Sequence, residues 1–387
     1  MTSDGTAGAR PPSRLSPDRL VVRYRVRGVD VRQVAEAIRV EQTIEFPYEL
    51  APAWIRETIV GRIESIDGDP DDGSVTLSYH PDVVGQEPAQ LLNVVWGNVS
   101  LFENVRLVDL SLPDSLLRLF PGPRLGVPGL RALLRAPDRP LLATALKPMG
   151  TAAADLARMA GILAANGIDL VKDDQGLTDQ RWAPWDERVA RCAEAVRASS
   201  ERAGRPSLYL PALNFPGPQL LDRAHRARDL GAGGLLVVPG LVGYDAIRAL
   251  AGDPDLGLPI MAHPAGAGSG VVNPAQGWRH GLLLGLFARV QGADVCIFPH
   301  AGGRFAFSQQ VCDDIAAECR RPLPGIAAAW PAPGGGIALE RIDDTLAVYG
   351  RDVVLLVGGA LHRGDLATNA GQLRARVEEW TDPAHSE

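Results

Sequence analysis

The chain has 387 residues, 46% of them apolar and 22% charged, with a net charge of −7. That is enough chain for two packed cores and the composition of a soluble globular protein. The charge is spread without long runs of one sign, so neither a nucleic-acid groove nor a polybasic membrane patch is expected.

The opening MTSDGTAGARPPSRLSPDRL has no apolar stretch of signal-peptide length, and no apolar run of about 18 residues occurs. A cytoplasmic protein with a disordered tail over 1–17 is the expectation. Residues 18–135 read as an N-terminal α+β domain of ferredoxin-like type with a linker. In it LVVRYRVRG and SVTLSYHP alternate as half-exposed strands, VRQVAEAIRVEQ reads as a helix, and LLNVVWGNV and RLVDLSLP supply further elements. The linker is the Pro- and Leu-rich SLPDSLLRLFPGPRLGVPGLRALLRAPDRP.

Over 136–387 one event recurs: a short apolar run, a loop, then an amphipathic helix pattern. The runs are LLATALK (141–147), IDLVK (168–172), SLYLPALN (207–214), GLLVVP (234–239), PIMAH (259–263), DVCIFP (294–299), GIAAAW (325–330) and DVVLLVGG (352–359). Eight such units predict a (β/α)₈ barrel. A doubly wound open sheet is disfavoured because no GxGxxG follows the first strand. The four cysteines, Cys192, Cys296, Cys312 and Cys319, form no CxxC pair and read as reduced core thiols.

Barrel enzymes build their sites at the carboxyl ends of the strands. Lys147 ends the first strand; Lys172 with Asp173 and Asp174 ends the second; Asn214 ends the third and His263 the fifth. His300 and Arg304 follow the sixth. A lysine closing a buried strand must be paired, neutral or chemically modified, because desolvating its charge is costly. Glycines 334 to 336 and Gly358–Gly359 close the last two strands, where backbone N–H groups can approach an oxyanion. Gly335, Gly336, Gly358 and Gly359 are therefore candidate phosphate-binding residues, with His300 and Arg304 as further substrate-binding candidates.

These residues resemble the large chain of ribulose-1,5-bisphosphate carboxylase/oxygenase (RuBisCO), and more closely its non-carboxylating relatives, the RuBisCO-like proteins (form IV). The resemblance runs from about residue 20 to 378 and is carried by ALKPMG (145–150), GIDLVKDDQ (167–175), GNV (97–99) and the late glycines. It implies a Mg²⁺ site in which Lys172, carbamylated by carbon dioxide, and Asp174 supply oxygen ligands. Gln175 stands where the family has a glutamate. An amide oxygen can still coordinate, but the site loses a negative charge, so the metal is expected to bind weakly or not at all.

By the same resemblance Lys147 handles the proton at the substrate carbons and His263 is the strand-5 histidine. Glu41 and Asn98 match positions that reach into a partner subunit's site, which implies a homodimer with composite active sites. Three departures argue against carboxylation: Met149 replaces a lysine, Pro264 an arginine, and PHAGGRFAFSQQ lacks the lysine of the mobile strand-6 loop. His300 takes the place of the family's strand-6 histidine only with a short insertion; ungapped, that position falls near Ile297. The expected function is an enolase, isomerase or decarboxylase acting on a phosphorylated keto-sugar or sugar acid. The alternative is a catalytically lapsed relative with a sugar-phosphate-binding or regulatory role.

Overall fold

The computed structural model describes residues 18–337 and 339–380; the expected tail at 1–17 lies outside them. The chain divides into two compact units, one of residues up to Leu119 with Ser269–Arg279, the other of Phe120–Gly268 with the residues from His280 on.

The first unit is a five-stranded sheet. Its strands are β1 (Leu20–Arg27), β2 (Arg62–Asp69), β3 (Asp72–Tyr79), β4 (Val105–Ser111) and β10 (Gly277–Trp278), in the order β10, β4, β1, β3, β2. Alternation in β1 puts Leu20, Val22, Tyr24 and Val26 on the buried face. Helices Val31–Glu41 and Pro88–Trp96 connect β1 to β2 and β3 to β4, and β1 to β4 pair antiparallel in the order 4-1-3-2. That is the ferredoxin-like pattern. Two strands escaped the sequence reading. RIESIDGD of β2 is mostly polar and exposed, and β10 is two residues that leave the barrel sequence to pair with β4.

The second unit is a parallel barrel. Its strands are β5 (Leu141–Leu146), β6 (Leu170–Asp173), β7 (Leu208–Leu210), β8 (Leu235–Val237), β9 (Ile260–Ala262), β11 (Val295–Pro299), β12 (Trp330–Gly334) and β13 (Val354–Leu356). The ring closes between β7 and β8, where Ala212 bridges Leu236 and Leu213 N donates to Leu236 O at 2.9 Å. The segment 120–135, expected as linker, packs within this unit. Its helix Gly126–Leu134 carries Leu130 and Leu134 onto the interior cluster with Leu141, Leu170, Leu236 and Trp330.

One strand is displaced from its expected place. GIAAAW supplies only Trp330 to the strand, which runs on through Pro331, Ala332, Pro333 and Gly334. Trp330, Ala332 and Gly334 direct their backbone groups toward β11, as in the bond from Trp330 N to Asp294 O at 2.8 Å. The prolines fall on the side facing β13, where each removes a donor, and β12 meets β13 at the single pair Gly334 and Leu356.

Asp294 locks the barrel floor. Its carboxylate accepts from Leu125 N, Gly126 N and Ile260 N at 2.7, 2.8 and 2.8 Å, so it caps the helix that begins at Gly126. Burial pushes this carboxyl up to about 6 from an ordinary 3.8, against the pull of the three N–H groups. The folded chain thus holds the proton more tightly than the unfolded one. Its contribution to stability is present in full below the unfolded value and falls as the pH rises to about 6, by roughly 1.4 kcal/mol per unit. Urea denaturation from pH 4 to 6 should show wild type losing about 2 kcal/mol relative to Asp294→Asn; parallel curves would contradict this.

Candidate active site

The period-two alternation of the barrel strands decides which strand-end residues face inward. Leu141, Ala143, Leu170, Leu210, Ala212 and Met261 belong to the interior cluster. Continuing each column by steps of two brings Lys147, Lys172, Asp174, Asn214 and His263 to the mouth. Asp173 falls on the outer side. There it meets Arg188 Nε at 3.2 Å, the Tyr209 hydroxyl at 2.7 Å and Ala212 N at 3.1 Å, so it anchors the end of β6 to the helix Trp185–Ala203.

Lys147 Nζ lies 2.9 Å from Asp174 Oδ2. Asp174 Oδ1 accepts from Gln175 N at 3.1 Å, and Asn214 Nδ2 donates to Gln175 O at 2.7 Å. Asn214 Oδ1 is buried with no protein partner. Lys172 is 1% exposed and donates from Nζ to Asp173 O at 3.0 Å. Burial, joined by the charge of Lys147, lowers its ammonium to about 8, although Asp174 and Asp173 pull the other way. A buried lysine with this tendency to be neutral has a nucleophilic amine.

His263 is held neutral. Burial first, then Lys172, lower it to about 3, with Asp174 opposing. Its Nδ1 accepts from Ala265 N at 3.1 Å, which assigns the proton to Nε2 and makes that nitrogen a donor.

The late loops meet backbone to backbone. A Cβ on Gly303 would fall 2.0 Å from Gly335 O, and one on Gly336 would fall 2.6 Å from Gly303 Cα. Both glycines are fixed by packing; Gly335 and Gly336 also have φ of 81° and 123°. Gly358 and Gly359 differ, because no heavy atom lies within 4 Å of a Cβ placed on either and neither has a positive φ. That leaves open space in which a ligand can approach the backbone. His300 N donates to Gly334 O at 2.8 Å, and its Nδ1 is buried without a protein partner. Arg304 is exposed, its guanidinium 5.1 Å from the centre of the Phe305 ring.

In the first unit Asn98 Nδ2 donates to Glu41 Oε1 at 2.9 Å. Gln42 holds the pair together: its Nε2 donates to Asn93 O and Val94 O, and its Oε1 accepts from Val99 N at 2.8 Å. Gln42 was invisible to sequence reasoning because its role is a long-range bridge.

Among the described residues no cluster of three His, Cys, Asp or Glu side chains gathers as a metal site. Of the side chains on this stretch, the Asp174 carboxylate and the Gln175 amide carry oxygens of the hard type that Mg²⁺ takes, whereas the Lys172 amine carries none.

One residue of the mouth was missed. His362 closes the short helix Gly359–His362 after β13; its Nε2 is buried without a protein partner, and burial, with the charge of Lys147, lowers its imidazole below the ordinary value. The only sequence signal was a histidine three residues beyond the Gly-Gly pair.

The family described as "Ribulose bisphosphate carboxylase large chain, catalytic domain" matches residues 126–382. Ribulose bisphosphate carboxylase-like protein 1 of Rhodopseudomonas palustris is 38% identical over 348 residues, 89% of this chain and 93% of that protein. The 5-methylthioribulose-1-phosphate isomerase of Rhodospirillum rubrum is 37% identical, covering 89% and 91%. A 2,3-diketo-5-methylthiopentyl-1-phosphate enolase of Bacillus pumilus is 33% identical, covering 74% and 71%. Among solved structures, the Rubisco-like protein from Rhodopseudomonas palustris superposes with a TM-score of 0.83 at 35% identity, covering 95% of this chain and 99% of that one.

Proposed function

Since the chain belongs to the ribulose bisphosphate carboxylase large-chain family, we propose that it is a non-carboxylating enzyme that enolises a phosphorylated keto-sugar bearing a single phosphate. The observation that carries this reading is the pairing of Lys147 Nζ with Asp174 Oδ2 at 2.9 Å beside the buried Lys172. It sets a proton-transfer group next to residues suited to hold a cation.

In this reading Lys147 is the group that takes a proton from the carbon next to a carbonyl. The C–H bond breaks, an N–H bond forms, and charge develops on the carbonyl oxygen. The neutral His263 donates from Nε2 to that oxygen, and a preorganised donor in a buried setting acts most strongly where charge develops. Gly358 and Gly359 receive the phosphate, with Gly335 and Gly336 shaping the adjoining wall.

Carbamylated Lys172, Asp174 and Gln175 are the residues that would hold Mg²⁺, which when bound supplies Lewis-acid stabilisation of the enediolate. Gln175→Glu restores the missing charge and is expected to tighten Mg²⁺ binding on the order of tenfold, measured by calorimetry under carbon dioxide. Equal affinities would mean that position 175 lies outside the coordination shell.

Met149 supports a substrate without a second phosphate. Its side chain is 52% exposed, and its methyl group lies 2.6 Å from where a Cβ of Gly176 would sit, so a thioether rests on the loop after β6. Such a surface suits an apolar tail. The names of the relatives from Rhodospirillum rubrum and Bacillus pumilus both describe one phosphate and one methylthio group.

Glu41 and Asn98 we assign to the neighbouring copy's site in a homodimer, which fits a carboxylate and an amide held together by a dedicated bridge from Gln42. No helix among the described residues is long and apolar enough to cross a membrane.

The test is product analysis. With 5-methylthioribulose 1-phosphate or a 2,3-diketo 1-phosphate, an isomerised or enolised product is expected. With ribulose 1,5-bisphosphate and bicarbonate, none carrying a new carboxyl group is expected. Carboxylated product would overturn the reading.

A further inference from the structure

We propose that Asn214 is a positioning residue for proton transfer: its side-chain amide clamps the backbone of Gln175 and so sets the carboxylate of Asp174 against Lys147. The inference rests on the proposed function for the reaction it serves, and it gives a role to a residue that has none.

Asn214 follows β7, two residues beyond Ala212 on the column that faces the barrel interior. β7 lies beside β6 with Leu210 level with Lys172, so Asn214 comes level with the residues just past Asp174. Its Nδ2 donates to Gln175 O at 2.7 Å. A carbonyl only accepts, so the amide must present its nitrogen there and turn Oδ1 away. Oδ1 is then buried with no partner in the protein, a loss of stability that an apolar side chain would avoid. What the amide supplies in return is the clamp.

The clamp acts on one residue. Peptide groups are planar, so the backbone at Gln175 moves only by turning about its two soft dihedrals. The peptide before it is held by Leu177 N, which donates to Asp174 O at 2.9 Å. The peptide after it is held by Asn214. With both held, Gln175 does not turn, and its N–H stays on Asp174 Oδ1 at 3.1 Å. That fixes the plane of the carboxylate, whose other oxygen, Oδ2, meets Lys147 Nζ at 2.9 Å.

The first of these holds is local, a turn within the loop after β6. The next residues are also stapled within that loop, by Gln180 Nε2 on Gly176 O and Thr178 N on Gln180 Oε1, both at 2.8 Å. Asn214 is the contact that ties Gln175 itself to a neighbouring strand. Misplacing a reacting group by about 1 Å can lower a rate by about 10²-fold even where binding is kept.

Two variants isolate the donor. Asn214→Ala removes it together with the shape of the side chain; Asn214→Asp keeps the shape and puts an acceptor in its place. Each is compared with wild type for kcat and KM of solvent deuterium exchange into 5-methylthioribulose 1-phosphate, and by NMR for protection of the Gln175 N–H from solvent. In both variants kcat is expected to fall roughly ten- to a hundredfold with KM within about threefold, and protection of Gln175 N–H to fall about tenfold. A side chain that only stabilised the fold would lower the melting temperature and leave kcat of the folded protein alone.

A wild-type kcat in either variant would overturn the role, as would a loss confined to KM or unaltered protection of Gln175 N–H in both. Wild type that exchanges deuterium into no single-phosphate ketose would count against the proposed function instead. The Gln175 N–H then decides alone: protection lost in both variants upholds the clamp, and protection kept overturns it. If neither variant folds, the Nδ2 hydrogens of Asn214 in the unaltered protein decide, since slow exchange upholds the bond to Gln175 and exchange at the rate of a free amide refutes it.

Discussion

Lys147→Met is expected to lower exchange of solvent deuterium into a bound keto-sugar phosphate by at least a factor of about 10², the usual worth of a positioned proton-transfer group. Methionine keeps most of the length and apolar surface of the lysine stem, so ligand-induced thermal stabilisation should survive. The change also releases Asp174 Oδ2 from its 2.9 Å partner. If Asp174 serves a cation, freeing it should not weaken metal binding, which separates loss of the base from loss of the metal. Exchange that persists in Lys147→Met would remove Lys147 from the proton-transfer role.

Arg188→Met is expected to destabilise the barrel by about 3–5 kcal/mol, the cost of stranding one half of a buried ion pair. Arg188 and Asp173 side chains are both fully buried. Arg188 also donates to Thr178 O at 2.8 Å and Ala183 O at 2.7 Å. Removing it leaves the Asp173 carboxylate with Tyr209 and Ala212 N as donors and orphans two carbonyls of the loop after β6. Pairing it with Asp173→Asn should recover part of the loss, since the stranded charge is then gone. A loss under about 1 kcal/mol by urea denaturation would contradict this, because it would mean water reaches the pair. The prediction bears on function as well, since this pair fixes the end of the strand that carries Lys172 and Asp174.

Most of the barrel was legible because its strands are apolar runs bounded by polar loops, and that signal survives in a single sequence. The strand-end residues followed from it, since alternation along a strand fixes which side chains face inward; Lys147, Lys172, Asp174 and His263 needed no further information. β12 was misplaced because Pro331 and Pro333 look like breakers, and only the pairing shows that they face the side where donors are dispensable. β10 is too short to leave a pattern.

The candidate site was less legible where it depends on the return of distant loops. His362 is far from Lys147 in sequence and comes within reach of its charge only because β13 neighbours β5 in the closed ring. Gln42 acts by bridging a helix end to the turn at Val99. The tautomer of His263 is likewise a property of its backbone partner, Ala265 N. In contrast, Gln175 stood out in the sequence as a lost charge beside Asp174, and the structure adds that its backbone carbonyl is pinned by Asn214.

The most direct test of the account is proton–deuterium exchange by the wild-type protein, followed by mass spectrometry, across a panel of keto-sugar phosphates with and without Mg²⁺ and bicarbonate. Exchange at the carbon next to the carbonyl of at least one single-phosphate ketose is the predicted result. A panel whose members bind and yet show no exchange would contradict it, and would mark the chain as a sugar-phosphate-binding relative that has lost its chemistry.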